Sequence, residues 1–209
     1  MKPLPSIIIG VVTIFVVTFL VWLLFVPVTP QKLLKVHDTL KTRLCIFVDI
    51  LDRHAYKYFL EGGSLLGCIR EGGIIPHDDD VDFGMLQEDL DKLMNDTQVM
   101  TELKQKDLIL KRSFPCYKLK CISCPDSVFI DVFGYDQVDD KLMFHRKRNR
   151  RAWPHNWFSM KEMFPLKRVR FERCMVWIPN NPIPYLERQY GKNWTIPKKR
   201  VVTHKFLLL

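Results

Sequence analysis

The chain is 209 residues long, with 47% hydrophobic and 26% charged side chains, and it carries a formal net charge of +9. One very apolar end leaves roughly 180 residues, enough for a single globular domain with a real core. The positive charge is concentrated in His145-Arg-Lys-Arg-Asn-Arg-Arg151 and Lys198-Lys-Arg200; basic blocks suit an anionic partner, but the membrane-length apolar segment argues against nucleic acid.

In chain order, a short tail at 1–6 precedes an apolar run at 7–28, with nothing charged between Lys2 and Lys32. As a helix this run would span about 33 Å, close to the roughly 30 Å of bilayer hydrocarbon. It is longer than the apolar region of a cleaved signal peptide, and it ends in Phe25-Val-Pro-Val-Thr-Pro30 without a small-residue cleavage pattern. An uncleaved transmembrane signal-anchor is therefore the favoured reading. Its orientation is contested within the sequence. Lys32, Lys35, Lys41 and Arg43 follow the run whereas only Lys2 precedes it, which by the positive-inside rule places the large domain in the cytosol. The sequons Asn95-Asp-Thr97 and Asn193-Trp-Thr195 have meaning only in a secretory lumen, and six cysteines permit an oxidising compartment.

Past the anchor, Leu33, Val36, Leu40, Leu44, Phe47, Val48 and Leu51 recur at three- and four-residue steps. They predict an amphipathic helix over 31–54 that leads into a catalytic domain at 55–200. A short strand is expected at Tyr56–Leu60, ending at Gly62-Gly63, then a helix from Ser64 to Arg70 and a strand at Val81–Met85. One polar helix is expected from Gln87 to about Lys106, with Leu90, Leu93 and Met94 facing inward. Three alternating strands follow at Leu108–Leu110, Tyr117–Lys120 and Ser127–Phe133. The final third, rich in Trp, Pro and Arg, predicts one strand near Met175–Ile178 and a short helix near Pro184–Tyr190. Internal repeats and low-complexity linkers are absent. The fold class is α+β, a mixed sheet with flanking helices.

Chemistry concentrates in Glu61-Gly-Gly-Ser-Leu-Leu-Gly-Cys-Ile-Arg-Glu-Gly-Gly-Ile-Ile-Pro-His-Asp-Asp-Asp-Val-Asp-Phe-Gly84. Gly62 and Gly63 allow backbone to approach an anion, and Ser64 can open a helix whose N-terminus attracts phosphate. In an extended segment Asp78, Asp80 and Asp82 share a face, with Cα atoms about 6.5 Å apart per two-residue step. Like charges gathered on one face repel unless a hard cation neutralises them. Asp80 and Asp82 rank first as metal ligands, with Asp78 and Asp79 as support. Asp131, one polar residue in the apolar strand Phe129–Phe133, completes the set, since an unpaired charge there would be costly; a salt-bridged strand residue is the plainer alternative.

Arg70, six residues after Ser64, can reach back to the same phosphate pocket or simply pair with Glu71 or Asp78. His77 is a turn residue or an additional metal contact. Cys116, Cys121 and Cys124 could supply zinc ligands, but disulfides or buried thiols fit their spacing better. The 145–151 block is either a solvated basic loop or a landing surface for an anionic acceptor, and Arg148-Asn-Arg-Arg151 also has the look of a processing site.

Gly62-Gly-Ser-Leu-Leu-Gly67, Arg70, Ile75-Pro-His-Asp-Asp-Asp-Val-Asp-Phe-Gly-Met85 and Phe129-Ile-Asp-Val-Phe133 together resemble the LicD family, which includes the fukutin-like proteins. The tail from Ile178 to Trp194 resembles that family's closing element, in which a Tyr-Gly-x-x-Trp segment follows a Pro-rich strand. His77 departs from the pattern, which usually has Trp there. The chain also lacks the long stem of fukutin-like members, so acceptor choice does not carry over. The resemblance implies a nucleotidyltransferase-like fold and transfer of a phospho-alcohol from a CDP-activated donor, such as CDP-choline or CDP-ribitol, to a glycan hydroxyl. It implies Mg²⁺ or Mn²⁺ on Asp80, Asp82 and Asp131, donor phosphate at Gly62, Gly63, Ser64 and Arg70, and a Golgi type II membrane protein with a lumenal domain. A nucleotidyltransferase proper and a non-catalytic glycan- or partner-binding protein are the competing readings.

Overall fold

The computed structural model describes residues 30–124 and 128–197. The segment expected to form the anchor, 7–28, lies outside the described residues, as do Ser127 and the block at 198–200. Among the described residues no helix is long and apolar enough to cross a membrane.

The amphipathic pattern becomes helix α1, Pro30–Arg53. Its apolar stripe, from Val36 through Leu40, Leu44, Phe47 and Val48 to Leu51, is buried. Burying one such side chain is worth about 1.5–3 kcal/mol, so docking this stripe outweighs any intrinsic helix preference. Short strand β1, Phe59–Leu60, leads through a turn into helix α2, Gly62–Arg70. Strand β2 is Val81–Leu86. The single polar helix expected over 87–106 is two helices, α3 (Gln87–Asn95) and α4 (Thr97–Gln105). They break at Asp96, whose extended backbone lets its side chain accept from Gln98 N and Val99 N; an N-cap of this kind stabilises a new helix start by about 1 kcal/mol.

Strands β3 (Leu108–Arg112), β4 (Tyr117–Cys121) and β5 (Phe129–Val138) follow as expected, β5 running longer. The sequence reading did not anticipate strand β6 (Lys141–Phe144), helix α5 (Lys147–Ala152), strand β7 (Trp157–Ser159), helix α6 (Met160–Met163) or strand β8 (Lys167–Phe171). Strand β9 (Cys174–Ile178) and helix α7 (Ile183–Tyr190) close the described chain.

The main sheet is mixed, in the order β1-β2-β5-β4-β3, with β6 also on β5 and β7 on β6. Strands β2 and β5 are parallel and every other pair is antiparallel. Strand β5 is the spine of the sheet. One edge pairs with β2 along Ile130–Tyr135; the other pairs with β4 over Phe129–Val132 and then with β6 over Tyr135–Val138. The change of partner at Phe133-Gly134 leaves a seam in the sheet. A separate β8–β9 hairpin is tied to α1 by the Cys45–Cys174 disulfide.

Candidate active site

Parallel pairing of β2 with β5 sets Asp82 directly opposite Asp131. Asp80, just before β2, brings a third carboxylate, and ligand oxygens of Asp80, Asp82 and Asp131 all lie within 4.8 Å of one another. Strand β2 starts only at Val81, so Asp78 and Asp80 precede the strand along which they are expected to share a face with Asp82, although Asp80 and Asp82 still converge. Asp78, Asp79 and Asp80 instead form a loop whose carboxylates also converge within 4.8 Å. His37 of α1 bonds the Asp78 carbonyl at 2.7 Å and so anchors that loop.

The turn between β1 and α2 closes over Asp82. Gly62 has φ +54°, and a Cβ there would stand 3.0 Å from Asp82 Oδ2; at Gly63 it would stand 2.8 Å from Asp78 Oδ2. Only glycine allows this conformation together with so close an approach. Ser64 does not open the helix: Glu61 occupies the N-cap position without a side-chain cap. The buried Ser64 hydroxyl accepts from Asp82 N at 2.8 Å, so it secures the start of β2 beside the carboxylate cluster. Arg70 donates from Nε to Glu71 at 2.7 Å and from Nη1 to the Trp194 carbonyl at 3.1 Å. That pins the Tyr-Gly-x-x-Trp tail onto α2 and follows the plainer expectation for Arg70. His77 lies in the loop before the aspartates.

Of these residues Gly62, Gly63, Asp80, Asp82 and Asp131 line a cleft of about 270 Å³, whereas Ser64, Arg70, His77, Asp78 and Asp79 are not part of its lining. Glu61, Gly62, Gly63, Asp80, Asp82 and Asp131 form the acidic end. Phe133, Phe144 and Trp153 pack together as an aromatic end, and Pro115, Asn156, Gln189 and Tyr190 complete the lining. The cleft opens at the seam in the sheet, where Pro115 precedes β4 and Phe144 ends β6. Trp153 stands edge-on to Phe133 and Phe144, at 6.3 and 5.8 Å between centroids.

Burial and mutual repulsion oppose ionisation of the clustered carboxylates. Asp131 is 8% exposed and pairs with Lys118 Nζ at 2.6 Å, the salt bridge that is the plainer alternative for this residue. Burial nonetheless raises its carboxyl above the ordinary value against the pull of Lys118. Burial also pushes Asp78 up to about 7, helped by repulsion from Asp80 and Asp79. Asp82 is held well above its usual range by burial and then by Asp80, Glu61 and Asp131. Carboxylates whose ionisation is opposed in this way have a driving force to take a divalent cation, and an all-oxygen donor set suits Mg²⁺ or Mn²⁺.

Glu61 escaped the sequence reading. It is 1% exposed, bonded to the Tyr135 hydroxyl and to Asn156 Nδ2 at 3.0 Å, and burial pushes its carboxyl up to about 7. Its one sequence signal is an acid between the apolar β1 and the Gly-Gly turn. Its partners lie 74 and 95 residues away, beyond any local pattern.

The cysteines form Cys45–Cys174 and Cys121–Cys124 disulfides, leaving Cys68 and Cys116 as buried thiols. A zinc set of Cys116, Cys121 and Cys124 is not formed, since two of its sulfurs bond each other. In the basic block, Arg150 and His145 engage Asp136, and Arg148 stacks over Phe114 with its guanidinium carbon 4.5 Å from the ring centroid.

A mixed sheet whose central parallel pair presents facing aspartates beneath a glycine turn defines an α+β domain with a carboxylate cluster in its cleft. The model of the LicD/FKTN/FKRP nucleotidyltransferase domain matches residues 55–181, and the chain belongs to that family. Similar proteins include an uncharacterized protein of Rickettsia prowazekii, 31% identical over 68% of this chain and 50% of its own length. The human ribitol-5-phosphate transferase FKTN is 26% identical over 76% of this chain and 34% of its own length. The human ribitol 5-phosphate transferase FKRP is 54% identical over a 43-residue stretch, 21% of this chain and 9% of that protein. The chain thus spans half or less of the length of these curated relatives.

Proposed function

We propose that this chain is a membrane-anchored, metal-dependent transferase. It moves a phospho-alcohol, of the phosphocholine or ribitol phosphate type, from a CDP-activated donor to a glycan hydroxyl and releases CMP. The observation that carries the reading is the convergence of Asp80, Asp82 and Asp131 within 4.8 Å in a cleft that also has a glycine turn and an aromatic wall. The names of the ribitol phosphate transferases similar to it support the choice of transferred group.

In this reading the three aspartates hold Mg²⁺ or Mn²⁺, which would neutralise the donor pyrophosphate and the departing CMP. Gly62 and Gly63 let donor phosphate approach the main chain at the start of α2. Trp153 and Tyr190 offer ring surface to the nucleoside. The acceptor oxygen forms a bond to the phosphorus bearing the alcohol as the bond from that phosphorus to the CMP oxygen breaks. The hydroxyl proton passes to a carboxylate of the cluster. Ser64 and Arg70, expected at the donor phosphate, act one step back in this scheme, through Asp82 and through the Trp194 tail. The domain at 55–200 is preceded by the helix at 31–54 and the anchor at 7–28. Two disulfides and the exposed sequon residues Asn95 and Asn193 support a lumenal Golgi placement.

The test is to incubate the full chain in detergent with CDP-ribitol, CDP-choline or CDP-glycerol, a glycan acceptor and Mn²⁺. CMP released together with a phosphorylated glycan is expected. Pyrophosphate release from a nucleoside triphosphate would make it a nucleotidyltransferase proper. No turnover, with neither metal nor CDP compound binding in calorimetry, would make it a non-catalytic binding protein.

A further inference from the structure

Around Glu61, hydrogen bonds join β2, β5, α7 and the loop carrying Asn156. Its main-chain N–H donates to the Asp82 carbonyl at 3.2 Å, while the Asp82 N–H is held by Ser64 at 2.8 Å. The backbone of Asp82 is thereby gripped on both sides by the turn that Glu61 begins. The next residue, Gly62, donates its N–H to the Tyr185 hydroxyl of α7 at 3.0 Å, and the Tyr185 ring stacks on Phe158 at 4.1 Å.

The Glu61 side chain turns the other way. Its Oε2 meets the Tyr135 hydroxyl and Asn156 Nδ2 at 3.0 Å. The Tyr135 hydroxyl also lies 2.8 Å from Asn156 Oδ1, so the three side chains close a ring. Tyr135 stands four residues beyond Asp131 on β5, and strand alternation puts Asp131, Phe133 and Tyr135 on one face. Asn156 donates its main-chain N–H to the Trp153 carbonyl at 3.1 Å. One buried side chain thus links the strand carrying Asp131, the turn over Asp82 and the loop carrying Trp153.

We propose that Glu61 is a positioning residue that sets the spacing of Asp82 and Asp131 and couples the acidic end of the cleft to its aromatic end through the Tyr135–Asn156 ring. The proposal rests on the metal reading above for its effect on the cation, and on geometry alone for its effect on the backbone. Placement of ligands to within about half an ångström governs whether a metal site works, and loss of a supporting partner typically weakens metal affinity 10–100-fold.

The experiment uses the full chain in detergent and compares Glu61→Ala, Glu61→Gln, Tyr135→Phe and the wild type. Two properties are measured: Mn²⁺ affinity by calorimetry, and exchange of the Asp82 amide in metal-free protein by NMR. Glu61→Ala is expected to weaken Mn²⁺ at least tenfold and speed Asp82 exchange at least tenfold, with Ile130 in the sheet unchanged. Tyr135→Phe should move both in the same direction by a smaller factor, and it serves alone if Glu61→Ala does not fold. Glu61→Gln should restore affinity to within about threefold, since its amide oxygen can accept from both Tyr135 and Asn156.

Unchanged Asp82 exchange in Glu61→Ala and Tyr135→Phe overturns the proposal. So does faster exchange with unchanged Mn²⁺ affinity, and so does a Glu61→Gln protein as weak as Glu61→Ala, which would make Glu61 itself a ligand. A wild type that binds no Mn²⁺ defeats the metal reading and, with it, this role for Glu61, whereas each of the other three outcomes leaves the metal reading standing.

Discussion

The acidic end of the cleft and the basic helix α5 each gather charge of one sign, and they are treated in opposite ways. Asp82, Asp131 and Glu61 are held by main-chain and side-chain bonds from several elements, at the cost of desolvating carboxylates that repel one another. On α5, Lys147 and Arg151 are exposed to solvent, where charge costs little and fixes little. Charge kept where it is expensive points to chemistry; charge kept where it is cheap sets surface character.

The sharpest way to break this contrast is at the aspartates. Asp80→Asn and Asp82→Asn should each lower transfer by at least about 100-fold, while metal-free protein melts at the same or a higher temperature because a repelling charge is gone. A lower melting temperature in both would make the cluster structural. Next in size, Cys45→Ser with Cys174→Ser should cost about 3–5 kcal/mol in a denaturant titration, since the bridge joins residues 129 positions apart in the sequence. Turnover per folded molecule should be unaffected.

The pH dependence of stability probes the same contrast. A carboxyl whose folded-state value is raised takes up a proton on folding. Its contribution is complete below the unfolded value, 4.5 for Glu61, and is lost as pH rises through about 7. Asp78 acts in the same sense, being raised from 3.8 to about 7. Metal-free protein should therefore be more stable at pH 5 than at pH 8 in thermal melts, and saturating Mn²⁺ should remove or reverse that trend. Arg151→Ala and Lys147→Ala should change stability by less than about 0.5 kcal/mol. Any effect on transfer should appear in KM and fade with added salt; a larger stability loss would mean that α5 is less solvated than it looks.

The sequence made the ingredients of the acidic end legible because spacing is local. Asp80, Asp82 and the glycine turn occupy one stretch, and Asp131 is conspicuous in an apolar strand. That Asp82 and Asp131 face each other was not legible, since it depends on β2 and β5 pairing in parallel across 48 intervening residues. Ser64 was placed at a helix start on its N-cap preference, but the left-handed turn at Gly62 starts the helix two residues earlier and frees its hydroxyl for Asp82. Strand β8 was missed because Lys167-Arg-Val-Arg-Phe171 is largely exposed on a two-stranded ribbon and shows little of the apolar signal by which strands are recognised. In the 87–106 helix, the propensity of the segment concealed the local cap at Asp96.

The seam where β5 exchanges β4 for β6 separates what must stay fixed from what is free to vary. On one side of the spine, the parallel pairing with β2 aligns the aspartates and leaves little room for insertions. On the other, the turn bearing Pro115 and the loop bearing Trp153 meet across a gap, joined by the bond from Asn149 Nδ2 to the Pro115 carbonyl. Lengthening or recolouring either loop would reshape the cleft mouth without disturbing the register beneath it. A family built this way can change the molecules it accepts by editing its rim while inheriting its floor intact.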